Sequence, residues 1–189
     1  MIEHRVNLKD NIDKYLDFPI KDGVKISFLQ LATHTSGLPR VLPSLSSPEL
    51  SLENPYRDFG EVKLKNYLSN QLEVSPEQGE KSEYSNLGVG LLGNVLSEIR
   101  NTTYEDLLQT EIFHKYGMKS STTNRAEIMD DLVLGLDETG KIVSNWDMSV
   151  LMGAGGILST TEDLSRFTLA HFDDINRIEI DRTTLFQDR

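Results

Sequence analysis

A tyrosine and an asparagine separated by one residue, Tyr84 and Asn86, stand directly before a segment with helical apolar spacing. Leucine, valine and isoleucine recur at helical intervals over residues 87–99, which predicts a helix with one buried face. Either Ser85 or Asn86 is a suitable N-cap for this helix. At such a helix end, backbone N–H groups and the helix dipole would stabilise negative charge on the Tyr84 hydroxyl. That setting favours a phenolate, which is the form of tyrosine that can act as a base.

The segment that precedes Tyr84 contains a histidine that invites a catalytic interpretation. Ser27 and Gln30 have the spacing of a capping box, which predicts a helix of about two turns. Gly37 fits the C′ position of that helix. His34 lies just before this glycine, and the favoured interpretation is structural: a loop histidine that hydrogen-bonds the backbone and fixes the turn.

The rest of the chain is predicted to be mainly α-helical with a few short strands. Helical spacing predicts helices over 61–72 and 103–117, and a capping box over 159–162 opens a final helix. Two short strands are expected over 132–136 and 141–143, on either side of a turn. These elements make one domain with a sizeable core.

The sequence predicts neither a metal site nor a cofactor site. The histidines at positions 4, 34, 114 and 171 are scattered and lack the spacing of metal ligands. The glycine-rich stretch GAGG at 153–156 lacks the spacing of a phosphate-binding loop, and no lysine follows it. We expect these glycines to serve close backbone approach or positive φ.

The composition describes a globular chain with no signature of nucleic-acid or membrane binding. It has 30 acidic and 19 basic residues, a formal net charge of −11, which argues against both nucleic acid and anionic membrane surfaces. No apolar run approaches the length of a membrane span. The absence of cysteine excludes disulfides and a cysteine nucleophile. Residues 1–5 are polar, so no signal peptide is predicted, and the compartment stays open.

Three stretches of the chain, in their order and spacing, resemble one family of enzymes. They are HTSGLP at 34–39, EYSNLG at 83–88 and GAGGILSTTEDL at 153–164. They resemble segments of the class C β-lactamases and penicillin-binding-protein-like serine hydrolases, and KYGM at 115–118 looks like the family's Pro-Leu-Gly-Met. The resemblance covers roughly residues 5–170. It implies the helical region of the serine β-lactamase/transpeptidase-like α+β fold.

The resemblance also implies roles for Tyr84 and Asn86. In such enzymes the serine of a Ser-x-x-Lys motif is acylated, and the lysine helps to activate it. The tyrosine of Tyr-x-Asn shares in proton transfer and the asparagine contacts the substrate amide. Carried over to this chain, Tyr84 is the proton-transfer residue and Asn86 the substrate-amide contact. The substrate would be a small-molecule amide, β-lactam or ester.

The sequence departs from the family pattern at the nucleophile. No lysine has a serine or threonine three residues before it, and neither Lys-Ser/Thr-Gly nor His-x-Gly is present. We therefore expect residues 1–189 to form a single partial domain, the central portion of such an enzyme. The N-terminal Ser-x-x-Lys part and the C-terminal sheet part would be absent, and the chain would be inactive as given. The surface that would meet the sheet should expose apolar side chains and could mediate self-association.

Two alternatives stay open at this point. The chain could be a non-catalytic binding or interaction module or a truncated gene product, which the missing motifs favour. It could also be a hydrolase with an unrecognised nucleophile, for which Ser36 and Ser85 are the candidates. Ser36 precedes Gly37 in a predicted turn, where a serine is ordinary, and Ser85 is expected to be a spacer between the two motif residues.

Overall fold

Helix is the main secondary structure in the computed structural model, which describes residues 6–42 and 54–172. The predictions made for residues 1–5, including His4, lie outside the described residues. The α-helices are α1 (Phe28–Ala32), α2 (Glu61–Asn66), α3 (Asn86–Arg100), α4 (Tyr104–Leu108), α5 (His114–Tyr116) and α6 (Thr161–Ala170). One π-helical turn, Tyr67–Gln71, extends α2, and another, Gln109–Phe113, joins α4 to α5. Short 3₁₀ segments cover Ile12–Tyr15, Lys21–Gly23, Arg125–Ile128 and Ser149–Ala154.

Two short strands pair in the second half of the chain. Strand β1 (Gly135–Leu136) runs antiparallel to β2 (Ile142–Val143), with Gly135 opposite Val143 and Leu136 opposite Ile142. The prediction of two short strands around a turn is confirmed, as is the mainly α character of the chain. In the described ranges, no helix is long and apolar enough to cross a bilayer.

Helix α3 is central to the hydrophobic core. Leu87, Leu91 and Val95 are completely buried on one of its faces, as the helical spacing over 87–99 predicts. The same apolar cluster includes side chains from α1, α2 and the 3₁₀ segment Ser149–Ala154. Burial of each such side chain stabilises the fold by about 1.5–3 kcal/mol. The N-terminus of α3 is therefore tied to a rigid part of the molecule.

Glycine allows the segment Ser149–Ala154 to approach α3 closely. A Cβ atom on Gly153 would lie 2.6 Å from the carbonyl oxygen of Val89. A Cβ atom on Gly90 would lie 2.8 Å from the side chain of Leu151. The predicted close approach is confirmed at Gly153, but no residue of 153–156 adopts the left-handed φ that was the alternative explanation.

The N-cap of α6 differs by one residue from the prediction. The Thr160 side chain accepts a hydrogen bond from the backbone N–H of Asp163 at 3.2 Å. The hydroxyl of Ser159 instead shares a 2.8 Å hydrogen bond with the hydroxyl of Ser121. Thr160 is therefore the N-cap, because the Ser159 hydroxyl is hydrogen-bonded to Ser121 instead.

Candidate active site

Tyr84 lies directly before the N-terminus of α3. Ser85 is the N-cap of this helix, since its Oγ accepts a hydrogen bond from the N–H of Gly88 at 2.9 Å. The same hydroxyl donates to the carbonyl oxygen of Pro39 at 2.7 Å. Of the two N-caps that the sequence allowed, Ser85 is the one used, and Asn86 is the first residue of the helix. Tyr84 thus lies at the positive end of the dipole of a 15-residue helix.

The backbone on both sides of Tyr84 is held by the segment 34–40. The carbonyl oxygen of His34 accepts the N–H of Glu83 at 2.8 Å, and the His34 Nδ1 accepts the N–H of Ser85 at 3.2 Å. The carbonyl oxygen of Arg40 accepts the N–H of Asn86 at 3.0 Å. The prediction that His34 bonds the backbone and fixes a turn is confirmed.

The end of α1 places His34 for these contacts. His34 has a left-handed backbone with φ 59°. Its N–H bonds to the carbonyl of Leu31 at 3.4 Å, and the N–H of Thr35 bonds to the carbonyl of Gln30 at 2.9 Å. This pair of bonds is the Schellman motif, whose left-handed C′ residue is usually glycine. The prediction of Gly37 at C′ was wrong, since the helix ends earlier and His34 takes that position.

The Tyr84 side chain is 55% exposed and lines an open groove with a volume of about 470 Å³. Its ring centroid lies 4.7 Å from that of His34, with the planes tilted by 37°. The guanidinium carbon of Arg40 lies 5.6 Å from the Tyr84 centroid. Glu73 and Glu83 add carboxylates to the groove. The Tyr84 hydroxyl makes no hydrogen bond with any residue in the described ranges, and its side chain lines this groove.

Asn86 is half-buried at the first position of α3. Its side-chain amide makes no hydrogen bond with any residue in the described ranges. It is not part of the wall of the Tyr84 groove, although its backbone N–H is fixed by Arg40. The structure therefore holds the two predicted site residues on one hydrogen-bonded turn, and neither side chain makes a hydrogen bond with a described residue.

The two serines considered as alternative nucleophiles are buried. Ser85 is 0% exposed, and its hydroxyl is engaged with Gly88 and Pro39. Ser36 is 1% exposed, and its Oγ accepts the N–H of Leu38 at 3.4 Å. A nucleophile must reach the substrate, so this burial argues against both serines.

A larger cavity, of about 640 Å³, lies at the opposite end of α3 and is lined by Ser97, Glu98 and Asn101 among others. Because an α-helix rises 1.5 Å per residue, the length of α3 places this cavity about 20 Å from Tyr84. Gly153 of the GAGGILSTTEDL stretch lines it, but neither Tyr84 nor Asn86 does, so the groove at Tyr84 remains the candidate site. Across the described residues, no cluster of His, Asp and Glu side chains is arranged to hold a metal ion.

Arg40 and Glu73 belong to the groove although sequence reasoning did not identify them. Arg40 follows the HTSGLP stretch directly, and that position beside a site-forming segment was its available signal. Glu73 carries no local signal, because its place depends on how the chain turns back after Tyr67–Gln71.

Comparison with known proteins identifies the family. The sequence model of the β-lactamase family matches residues 2–187. The chain belongs to the β-lactamase family. It is 30% identical over 167 residues to the D-alanyl-D-alanine-carboxypeptidase/endopeptidase AmpH of Escherichia coli K12, covering 86% of this chain and 41% of that protein. The family resemblance predicted from three stretches is thereby confirmed.

Solved structures agree with this β-lactamase-family assignment. A β-lactamase/D-alanine carboxypeptidase from Yersinia pestis in complex with citrate has a TM-score of 0.68 and 31% identity, covering 86% of this chain and 46% of that one. A β-lactamase/D-alanine carboxypeptidase from Pseudomonas syringae has a TM-score of 0.70, and at 23% identity it shows the fold alone. It covers 89% of this chain and 45% of that one. The predicted fold, the helical region of the β-lactamase-like fold, is confirmed, and the chain spans less than half the length of these relatives.

Proposed function

We propose that this chain supplies the tyrosine and asparagine portion of a serine-hydrolase active site. The substrates would be small amides, β-lactams or esters, including peptides that end in D-alanine, cleaved through an acyl-serine intermediate. Family membership and the names of the relatives support this reaction class. The observation that carries the proposal is the exposed Tyr84 hydroxyl, held at the N-terminus of α3 on a backbone fixed from both sides.

In this proposal Tyr84 transfers a proton from the attacking serine hydroxyl to the leaving group. A serine hydroxyl that attacks a carbonyl carbon must lose its proton, and the leaving group must gain one. Tyr84 would accept the first proton as a phenolate and return it to the leaving group. The N-terminal end of α3 would stabilise the phenolate. The Asn86 amide, which has both donor and acceptor atoms, would contact the substrate amide.

The sequence favours ligand binding without acylation for residues 1–189 alone. The residues three positions before each lysine include no serine or threonine, so no Ser-x-x-Lys nucleophile is present. Hydrolysis would need a serine and a lysine from outside residues 1–189 to lie beside Tyr84. We propose that the 189-residue chain binds such ligands weakly at Tyr84 and is not acylated by them.

The test is an NMR titration of the ¹⁵N-labelled chain with benzylpenicillin and, separately, with an acetylated D-alanyl-D-alanine peptide. We expect shifts in the amides of residues 37, 38, 40 and 83–87, and a weaker response in Asn86→Ala. Asn94→Ala is the matched control, since Asn94 lies on the same helix and lines the larger cavity instead. Intact-protein mass spectrometry after incubation with benzylpenicillin should show no adduct.

The possible results have different meanings. Shifts at Tyr84 that weaken in Asn86→Ala, without an adduct, would support the proposed binding. The assignment of the site would be overturned if neither ligand caused shifts, or if the shifts weakened in Asn94→Ala instead of Asn86→Ala. A stoichiometric penicilloyl adduct would overturn the statement that these residues contain no activated serine, and peptide mapping would then locate it.

A further inference from the structure

We propose that His34 is a positioning residue that sets the orientation of Tyr84, and that it does so only while its imidazole is neutral. This inference rests on the proposed role of Tyr84, since positioning matters where the tyrosine acts. It concerns a side chain in a different segment of the chain, 50 residues before the tyrosine (84 − 34). Two sets of contacts and one backbone conformation support it.

The first set is on the backbone. The residues immediately before and after Tyr84 both donate their N–H groups to His34, Glu83 to its carbonyl oxygen and Ser85 to its Nδ1. The peptide units on both sides of Tyr84 are therefore tied to one residue. A rotation of either unit would change the direction of the Tyr84 Cα–Cβ bond.

The second set is between side chains. The His34 and Tyr84 rings are 4.7 Å apart between centroids, inside the range for interacting rings. The Arg40 guanidinium also contacts the Tyr84 ring, at 5.6 Å from its centroid. An exposed tyrosine is usually free to change rotamer, whereas these two neighbours restrict the Tyr84 ring.

The third observation is the backbone of His34 itself. Its left-handed conformation, at φ 59°, is one that glycine or asparagine adopts at lower energy. Strain of this kind persists where the surrounding structure requires the residue. The contacts of the imidazole with Ser85 and Tyr84 supply that requirement, because neither glycine nor asparagine would provide a ring.

Protonation of the imidazole would reverse the contact with Ser85. A backbone N–H can only donate, so Nδ1 must be the unprotonated nitrogen and Nε2 must carry the proton. An imidazolium has donors at both nitrogens and cannot accept the N–H of Ser85. The segments that pack against His34 and its neighbours carry the charged or titratable side chains Arg40, Glu77, Glu80, Lys81, Glu83 and Tyr84. Lys81 is paired with Glu83 at 2.8 Å and with Glu77 at 3.3 Å. Acidification should therefore release Ser85 from His34 and loosen Tyr84.

The experiment is a pH titration of the 189-residue chain by NMR, without ligand. In the wild type, the Ser85 amide and the Tyr84 ring signals should shift together with protonation of the His34 ring. His34→Asn keeps an acceptor and tolerates the left-handed backbone but removes the ring and the titration. His34→Phe keeps a ring but removes the acceptor. His114→Asn is the control, since His114 is exposed on α5, away from this segment.

We expect the pH response of Ser85 and Tyr84 to persist in His114→Asn and to disappear in both His34 variants. The Ser85 amide should exchange about tenfold faster in His34→Phe than in His34→Asn, because only asparagine replaces the acceptor. The proposal would be overturned if the Tyr84 ring signals of the wild type did not change as His34 is protonated. A pH response that survives in His34→Asn would also overturn it. If the variants unfold, the wild-type and His114→Asn titrations still decide.

These readouts need no ligand, so the two proposals can fail separately. If benzylpenicillin and the peptide do not bind while Tyr84 follows the His34 titration, the proposed function fails and the positioning role stands. If ligands bind at Tyr84 while its ring ignores the titration, the positioning role fails and the proposed function stands.

Discussion

Ser85 connects the candidate site to the core through a single hydroxyl group. That group is fully buried, accepts the N–H of Gly88 and donates to the carbonyl of Pro39. Ser85→Ala would remove the N-cap of α3 and leave the buried N–H of Gly88 and the half-buried carbonyl of Pro39 without this partner. We expect a loss of about 1–3 kcal/mol in the free energy of unfolding, measured by urea denaturation followed by circular dichroism.

Ser97→Ala is the matched control for this prediction, because it makes the same change in the same helix. Ser97 is also buried, but its hydroxyl only bonds the carbonyl of Gly93, one turn back in α3. Such a bond adds little inside a helix, and alanine has the higher helix propensity, so we expect a loss below about 1 kcal/mol. Equal losses in the two variants would show that the Ser85 hydroxyl has no special role.

At the level of single residues, the sequence predicts those structural roles that depend on neighbouring residues in the chain. The N-cap Ser85 and the structural role of His34 follow from local patterns, whereas the role of Tyr84 comes from the family resemblance and stays a prediction. The left-handed position was assigned to Gly37 because glycine adopts positive φ most easily. Gly37 is left-handed, at φ 69°, but the C′ position of α1 belongs to His34, since contacts with a segment about 50 residues away favour an imidazole there. No local pattern contains that information.

Among the elements, the closest contact is between α3 and the segment Ser149–Ala154. Gly153→Ala would place a methyl group 2.6 Å from the carbonyl oxygen of Val89, and backbone atoms would have to move. We expect a loss of about 1–3 kcal/mol in the free energy of unfolding, the usual range for overpacking. The same urea denaturation experiment measures it.

Gly155→Ala is the control for the glycine prediction. A Cβ atom on Gly155 would meet nothing within 4 Å. We expect this change to cost clearly less stability than Gly153→Ala, because no neighbouring atom has to move to make room for the methyl group. Similar losses in both variants would contradict the assignment of close packing to Gly153.

The elements that sequence reasoning found are those with their own periodic pattern. Leucines at helical spacing predicted the helix that begins at Glu61, and the apolar pattern over 87–99 predicted α3. The 3₁₀ segment Ser149–Ala154 has no such pattern, and it takes its shape from contact with α3. The one-residue error at the start of α6 has a similar cause, since two neighbouring hydroxyls compete and only packing decides between them.

For the whole molecule, buried carboxylates predict how stability depends on pH. Asp163 is 1% exposed, and this burial by itself raises its pKa. Hydrogen bonds from the Ser120 N–H and the Ser121 hydroxyl, together with the Arg166 guanidinium, outweigh burial and lower the pKa of Asp163 from its ordinary value. The pKa of Glu105 is likewise lowered, since hydrogen bonds from neighbouring side chains and backbone exceed the effect of burial.

A pKa that is lower in the folded state means that the unfolded state binds protons first as the pH falls. The stability that Asp163 contributes is therefore present near neutral pH and is lost below about pH 4–5. We expect the thermal midpoint to fall between about pH 5 and pH 3, and to fall less steeply in Asp163→Asn, which cannot titrate. Parallel curves for the wild type and this variant would contradict the assignment.

The hairpin of β1 and β2 exposes an apolar face. Leu136 and Ile142 are directly opposite each other, so their side chains lie on the same face, and each is 62% exposed. An isolated two-stranded hairpin is only marginally stable, and its open edges can pair with another chain. The sequence predicted self-association through the surface that would meet the absent sheet, and that stays a prediction; the hairpin face is the exposed apolar surface on which we test it, as a contact between two copies of this chain.

The net charge of −11 sets how this self-association should respond to salt. Repulsion between two acidic copies opposes contact, and added salt screens the repulsion while leaving the apolar attraction in place. The weight-average sedimentation coefficient should therefore rise with both protein and sodium chloride concentration. Ile142→Lys should remove this rise, whereas Val62→Lys should not, because Val62 is 85% exposed on α2, outside the hairpin. A monomer under every condition, or an equal effect of both lysines, would show that the hairpin face is not an interface.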